Sequence, residues 1–358
     1  MISIILGTRP EIIKMSPMIS ECQRQRMDYF ILHTGQHYSY NMDKVFFEQL
    51  ELPEAKYNLD AGSGMHGEQT GKMLSGIEKV LIKEKPDIVL VQGDTNTVLA
   101  GALAAAKLHI KVGHVEAGLR SFDRRMPEEI NRMLADHCSD YLFAPTGRSK
   151  ELLLKEGIDD AKIFVTGNTI VDAVFQNLKL AKSDFLNEMG LKEKEYILVT
   201  AHREENVDDP DRFMNIFNGI DMVSKELGVP AVYPIHPRSR KMMEKFGFNL
   251  DGNIKLIEPL DYLNFLKIEA GAKLVLTDSG GVQEEACILG VPCVTLRDNT
   301  ERPETVEVGS NILAGIDPDI IVESARRMLA RDKSWKNPFG EGKAAEKIGR
   351  IVKMIQAR

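Results

Sequence analysis

The chain has 358 residues, 43% hydrophobic and 28% charged, with a net charge of −7. That length favours two domains over one core, the balance excludes a disordered polymer, and the negative charge argues against a nucleic-acid surface, which is normally basic. No apolar run approaches the ~20 residues that span a bilayer, the start MISIILGTRPEIIK lacks a signal-peptide pattern, and four scattered cysteines without a CxxC predict a reduced cytoplasmic protein.

Ile2–Leu6 reads as a strand, and a helix follows from about Pro10. Tyr29–His33 is a second strand. A helix over Glu68–Lys85 leads to a third at Ile88–Gln92, and Lys111–Val115, Tyr141–Ala144 and Ile163–Val165 continue the series. Strands separated by helices imply parallel crossovers and a doubly wound sheet. A helical segment, Ile170–Met189, then separates the halves, and the pattern restarts at Tyr196–Thr200. Ala231–Ile235, Ile254–Ile257, Leu274–Leu276 and Val294–Leu296 follow. The expectation is an α/β protein of two Rossmann-like domains with a cleft between them. The last helix, Ala344–Gln356, can pack on either half; the division taken is 1–168 with 344–358, and 169–343.

In open parallel sheets ligands bind beyond the C-terminal ends of the strands. The polar residues expected there are Arg9, Asp94, Glu116, His202, His236 and Ser279. In TDSGGVQEEA, Gly280 and Gly281 let a ligand approach the backbone and permit conformations that other residues resist. The amides of the next helix then form an anion site. The plainer reading is a tight turn with Asp278 or Ser279 as N-cap. Glu285, one turn beyond Gly281, favours the ligand: phosphate on the amides and ribose on the carboxylate describe a nucleotide. Arg9 and Lys14 in GTRPEIIK offer cations, against the plainer reading of a solvated surface pair.

Asp94 and Glu116 end strands expected to be neighbours, so their carboxylates can share one cleft and act as acid and base. Asp94 can instead cap the helix near Thr95, and Glu128 and Glu129 read as first-turn partners of the helix dipole. Three motifs are set aside. Gly62, Gly64 and Gly67 match G-x-G-x-x-G, but KYNLD before them is a poor strand, so a flexible loop is expected. His114-x-Glu116 lacks the P-C-x-x-C of a zinc deaminase. Asp209 and Asp211 read as helix caps.

Taken together, GTRPEIIK, TGQH, VQGDT, GHVEAGLRS, PEEINR, TGNTIVDA, TAHREEN, TDSGGVQEEA, LRDNTERPE and NPFGEGKAAEKI resemble the non-hydrolysing UDP-N-acetylglucosamine 2-epimerases, in order along the whole chain. The resemblance implies a glycosyltransferase-B type fold and interconversion of UDP-N-acetylglucosamine and UDP-N-acetylmannosamine through elimination and re-addition of UDP, with neither NAD nor a metal. It implies acid or base roles for Asp94, Glu116 and Glu128, a histidine at the diphosphate in His202, a ribose ligand in Glu285 and a cationic site in Arg9 and Lys14. His236, Ser279, Gly280, Gly281 and Arg302 complete the substrate-binding candidates. It also implies a homodimer. Bacterial members bind a second UDP-N-acetylglucosamine through the TGQH loop; Gln36 and His37 are present here, but Tyr38 follows and Glu68 stands where a basic residue often appears. A glycosyltransferase of the same fold and a nucleotide-sugar binding module are the rival readings.

Overall fold

The computed structural model of the chain describes residues 1–36, 40–248, 252–332 and 334–356. The first sheet contains β1 (Ile2–Leu6), β2 (Tyr29–His33), β3 (Tyr57–Asn58), β4 (Ile88–Gln92), β5 (Lys111–Val115), β6 (Tyr141–Ala144) and β7 (Ile163–Val165), in the order 3-2-1-4-5-6-7. The second contains β8 (Ile197–Thr200), β9 (Ala231–Pro234), β10 (Ile254–Ile257), β11 (Leu274–Thr277), β12 (Cys293–Thr295) and β13 (Asn311–Leu313), in the order 10-9-8-11-12-13. All the pairings are parallel. Every residue of β1 and β4 is buried, as parallel strands covered on both faces require. Each buried Ile or Leu side chain contributes about 1.5–3 kcal/mol, so the strand ends sit on a stiff frame.

The chain divides into two compact units, Met1–Gln176 with Phe339–Arg358, and Asn177–Pro338. The division therefore falls inside the helix Thr169–Leu180 and not before it. Asp172 in that helix accepts the amide hydrogens of Ala344 and Ala345 at 3.1 and 3.0 Å. Phe175 lies so close to Gly342 that a Cβ there would come within 2.7 Å of it. The last helix, Ala344–Gln356, packs on the helix Arg9–Arg24 of the first unit.

Local differences from the sequence reading have local reasons. Ile170–Met189 breaks into Thr169–Leu180 and Phe185–Glu188. KYNLD supplies a two-residue edge strand, because Tyr57 and Asn58 pair with Leu32 and His33. Gly67 lies in the helix His66–Glu84 and not in a loop. β13 was not anticipated; three residues carry too little pattern to read. No helix among the described residues is long and apolar enough to cross a membrane.

Strand order reverses between β1 and β4 in one sheet and between β8 and β11 in the other. At such a switch point the crossovers leave in opposite directions and open a crevice beyond the strand ends. The segments following these four strands carry Arg9, Asp94, His202 and Ser279.

Candidate functional site

In the first unit the chain leaves β1 through Gly7, where a Cβ would lie 1.8 Å from the Thr34 hydroxyl oxygen, so only glycine passes. Glu11 accepts the amide hydrogens of Gly7 and Thr8 at 2.7 and 2.8 Å and also bonds the Thr95 hydroxyl. This is the reach-back of a capping box, extended across the sheet to the residue after Asp94. Burial pushes the Glu11 carboxyl up to about 7, against these hydrogen bonds. Both protonation states fit: when neutral, Oε1 donates to Thr95 while Oε2 accepts the two amides.

Arg9 is the first residue of its helix, and Pro10 the second. The Arg9 Nε lies 3.4 Å from an Asp43 carboxylate oxygen, and its guanidinium carbon 4.9 Å from the Phe46 ring centre. Lys14 is no solvated surface cation: its ammonium sits 2.7 Å from Glu116 Oε2. Gln92 Nε2 donates to the same oxygen at 3.1 Å. Glu116 follows β5 directly and holds φ at 70°, a conformation that strains a residue with a Cβ and clusters at functional sites.

Asp94 does not cap the following helix. Thr95 does, accepting the Val98 amide hydrogen at 3.4 Å. The Asp94 carboxylate instead receives Arg132, and its carbonyl accepts Asn131 Nδ2 at 3.0 Å. β4 and β5 are neighbours, as expected. Glu128 is exposed at the second position of the helix Pro127–Cys138. Glu129 is buried and accepts the amide hydrogens of Ser121 and Phe122 at 2.9 and 3.0 Å. Arg120 is structural, bonded to Asp136 at 2.8 Å and Glu156 at 2.6 Å.

His114 hydrogen-bonds through both ring nitrogens, to Asp136 and to the Gly93 carbonyl, leaving no lone pair for a metal. Asp209 caps its helix through the amides of Asp211 and Arg212. Among the described residues no group of three or more His, Cys, Asp or Glu side chains could hold a metal ion. Gln36 is buried and accepts the Thr97 amide hydrogen at 2.9 Å, and Glu68 pairs with Lys72 on its own helix. His37 and Tyr38 lie outside the described residues.

In the second unit the ends of β8 and β11 are bound together by Asp278. Its Oδ2 accepts the amide hydrogens of His202 and Arg203, each at 2.9 Å, and Asn206 Nδ2 at 3.3 Å. Its Oδ1 lies 3.3 Å from His202 Nδ1. The helix Gly280–Leu289 begins beside it. Ser279 occupies the N-cap position, yet its side chain makes no cap hydrogen bond. The first amides of that helix therefore keep the unsatisfied donors of a bare helix start.

The two glycines do not take left-handed conformations, contrary to the sequence reading. A Cβ on Gly280 would meet nothing nearer than 3.7 Å, and one on Gly281 nothing nearer than 4.0 Å. Their value is the clear space they leave before the amides.

Glu285, one turn on, is buried and accepts a hydrogen bond from the Tyr262 hydroxyl at 3.0 Å. Beside it, within electrostatic reach, lies Glu269, which is wholly buried. Burial first, and then the charge of Glu285, push the Glu269 carboxyl well above the usual range. Glu269 is thus a neutral acid beside the Glu285 carboxylate.

A cavity of about 220 Å³ adjoins the helix start, lined among others by His202, His236, Ser279, Tyr233, Leu260 and Phe265. His236 Nδ1 accepts the Arg238 amide hydrogen at 3.2 Å, so its hydrogen is on Nε2. Burial, with the charges of His202 and Arg238, lowers its pKa. Arg302 is held by the buried Glu284 at 2.7 Å.

Sequence reasoning missed Glu11, Arg132, Asp136 and Glu269, which hold these candidates, and met His114 only in a discarded metal motif and Asp278 only as a possible N-cap. Only Glu11 carried a readable signal, the Thr8-x-x-Glu11 capping pattern.

The profile of the family described as UDP-N-acetylglucosamine 2-epimerase matches residues 20–353. A UDP-N-acetylglucosamine 2-epimerase of Methanocaldococcus jannaschii is 59% identical over 360 aligned positions, covering 98% of both chains. The crystal structure of the Methanocaldococcus jannaschii UDP-GlcNAc 2-epimerase with UDP-GlcNAc and UDP superposes with a TM-score of 0.88 at 58% identity, covering 99% of both chains. The Neisseria meningitidis UDP-GlcNAc 2-epimerase bound to UDP-GlcNAc gives 0.87 at 36% identity, again over 99% of both chains.

Proposed function

The chain belongs to the UDP-N-acetylglucosamine 2-epimerase family, and from that premise we propose that it interconverts UDP-N-acetylglucosamine and UDP-N-acetylmannosamine without hydrolysis. A carboxylate removes the proton at sugar C2. The C1–O bond to the diphosphate breaks, its electrons leave with UDP, and a C1–C2 double bond gives 2-acetamidoglucal. Protonation of C2 on the other face and attack of the UDP oxygen on C1 complete the reaction. Elimination and re-addition are redox-neutral at every step, so the reaction calls for no hydride acceptor.

The observation that carries this reading is the bare start of the helix Gly280–Leu289: two glycines, an N-cap without a side-chain bond and a buried glutamate one turn further. Such amides suit a diphosphate, and fixed donors stabilise the charge that develops as UDP departs. In this reading the Ser279–Gly281 corner, His202 and Arg9 bind the diphosphate, and Glu285 accepts the ribose hydroxyls. The wall of Leu260 and Phe265 takes the uracil, with His236 and Arg302 close to the nucleotide. Asp94, Glu116 and Glu128 serve as acid and base. Lys14 serves by holding Glu116 ionised more than by touching phosphate, because its charge is already engaged there. A homodimer in the cytoplasm belongs to the same reading.

The test is incubation of the purified protein with UDP-N-acetylglucosamine in D₂O, followed by NMR. Deuterium at C2 and a mannosamine-configured product are expected. Recovery of unchanged, undeuterated sugar would overturn the reading.

A further inference from the structure

Behind the strand-end carboxylates of the first unit lies an ion pair with no side-chain exposure at all, His114 of β5 and Asp136 of the helix Pro127–Cys138. The ring's Nε2 lies 2.8 Å from the Gly93 carbonyl oxygen. A carbonyl can only accept, so Nε2 carries a hydrogen. Nδ1 lies 2.7 Å from Asp136 Oδ1. The other oxygen, Oδ2, takes Arg120 at 2.8 Å and the Gly118 amide hydrogen at 3.2 Å. With a guanidinium beside it Asp136 is ionised and can only accept, so Nδ1 carries a hydrogen too. The ring is an imidazolium. Burial opposes that charge, but Asp136 and the Gly93 carbonyl outweigh it and lift the His114 pKa above its ordinary value. Asp136 is held below its own, although burial acts to raise it.

These bonds tie down the chain within two residues of both candidate acids. Gly93 immediately precedes Asp94. His114 and Gly118 stand two residues either side of Glu116, and Asp136 bonds both. Glu116 between them keeps its φ of 70°, and such a conformation persists only where the surroundings over-determine it. The charges facing the ring alternate: Asp136, then Arg120, then Glu156 on one side, Glu116 and its partner Lys14 on the other.

We propose that the His114–Asp136 ion pair is a positioning element of the reaction, holding the Gly93–Asp94 turn and the strained Glu116 in fixed register, with the ring as a permanent imidazolium. This rests on the acid–base roles proposed for the two carboxylates.

The charge is tested without any variant having to be active. In ¹⁵N-histidine-labelled protein, two-bond ¹H–¹⁵N spectra between pH 6 and 9 should show hydrogens on both nitrogens of one ring throughout. His114→Gln, as a labelled control, identifies that ring by its loss. A His114 ring with one hydrogen at pH 7 overturns the proposal. The positioning role is tested with Asp136→Asn, whose ring should titrate at lower pH. Its kcat should fall about 100-fold, the scale of a misplacement near 1 Å, with UDP affinity and far-UV circular dichroism unchanged. Undiminished kcat, or UDP affinity lost in step with turnover, overturns it. Wild-type protein that fails to exchange C2 hydrogen would defeat the proposed function while leaving the NMR result on His114 standing.

Discussion

The Asp278 carboxylate grips His202 twice: Oδ2 accepts its amide hydrogen at 2.9 Å, and Oδ1 faces its Nδ1 at 3.3 Å. Asp278 follows β11 directly and His202 lies just beyond β8, so one side chain joins the two strand ends at the point where the sheet order reverses. Replacing Asp278 with Asn keeps the shape but offers a donor where donors already converge. Stability should fall by about 1–3 kcal/mol, the cost of unsatisfied buried groups. UDP should bind about tenfold more weakly, a loss of ~1.4 kcal/mol. Urea unfolding and calorimetric titration measure both. Unchanged affinity would remove His202 from the nucleotide site.

Gly281→Ala separates fold from function. The added Cβ meets nothing nearer than the Ser279 hydroxyl oxygen at 4.0 Å, and φ is not left-handed; alanine is favoured over glycine in a helix by about 1 kcal/mol. The variant should therefore unfold at the same temperature or higher, while UDP affinity drops by more than tenfold (~1.4 kcal/mol). Tight UDP binding in this variant would mean that the space before the amides is not where the diphosphate lies.

Glu269→Gln tests the neutral acid behind Glu285. A carboxyl raised on folding favours the folded state's uptake of protons, so it lowers stability as pH rises above the ordinary glutamate range. The contrast with glutamine should vanish near pH 4.5, the unshifted value, and grow towards pH 8. There the variant should melt about 2–4 °C higher, the shift that ~1 kcal/mol produces in a domain of this size. Scanning calorimetry across pH decides the matter. A variant less stable than wild type at pH 8 would show that Glu269 is ionised and stabilised by a cation.

Lys14→Met removes the ammonium from beside Glu116. Lys14 has 13% of its side chain exposed and Glu116 5%. Breaking a wholly buried pair costs about 3–5 kcal/mol, and this partly screened one should cost roughly 2–3 kcal/mol. Turnover should fall with it, because the Glu116 carboxyl is then easier to protonate. A stability loss without any change in the pH profile of kcat would reduce Lys14 to a structural residue.

Asp94→Asn should leave UDP binding intact and cut kcat by about 10²–10⁴-fold, the usual share of a general acid or base. Near-normal turnover would strike Asp94 from the reacting groups, and Glu116 and Glu128 would then have to supply both faces.

Much of this molecule is written locally in its sequence. Short apolar runs closed by polar corners become strands whatever surrounds them, and their alternation with helices forces parallel pairing. Once the pairing is parallel, the residues after each strand face the ligand side, so Arg9, Asp94, His202 and Ser279 could be nominated by position alone. The partners could not. Lys14 and Glu116 are 102 residues apart, His202 and Asp278 76, and His114 and Asp136 22. A hydrogen bond depends on which strand ends are neighbours and on ångström-scale placement, and neither periodicity nor propensity encodes that distance. The tertiary structure also decided the meaning of Gly280 and Gly281. In sequence a glycine pair signals unusual dihedrals or close approach equally, and only the ordinary helical backbone with open space above it tells them apart.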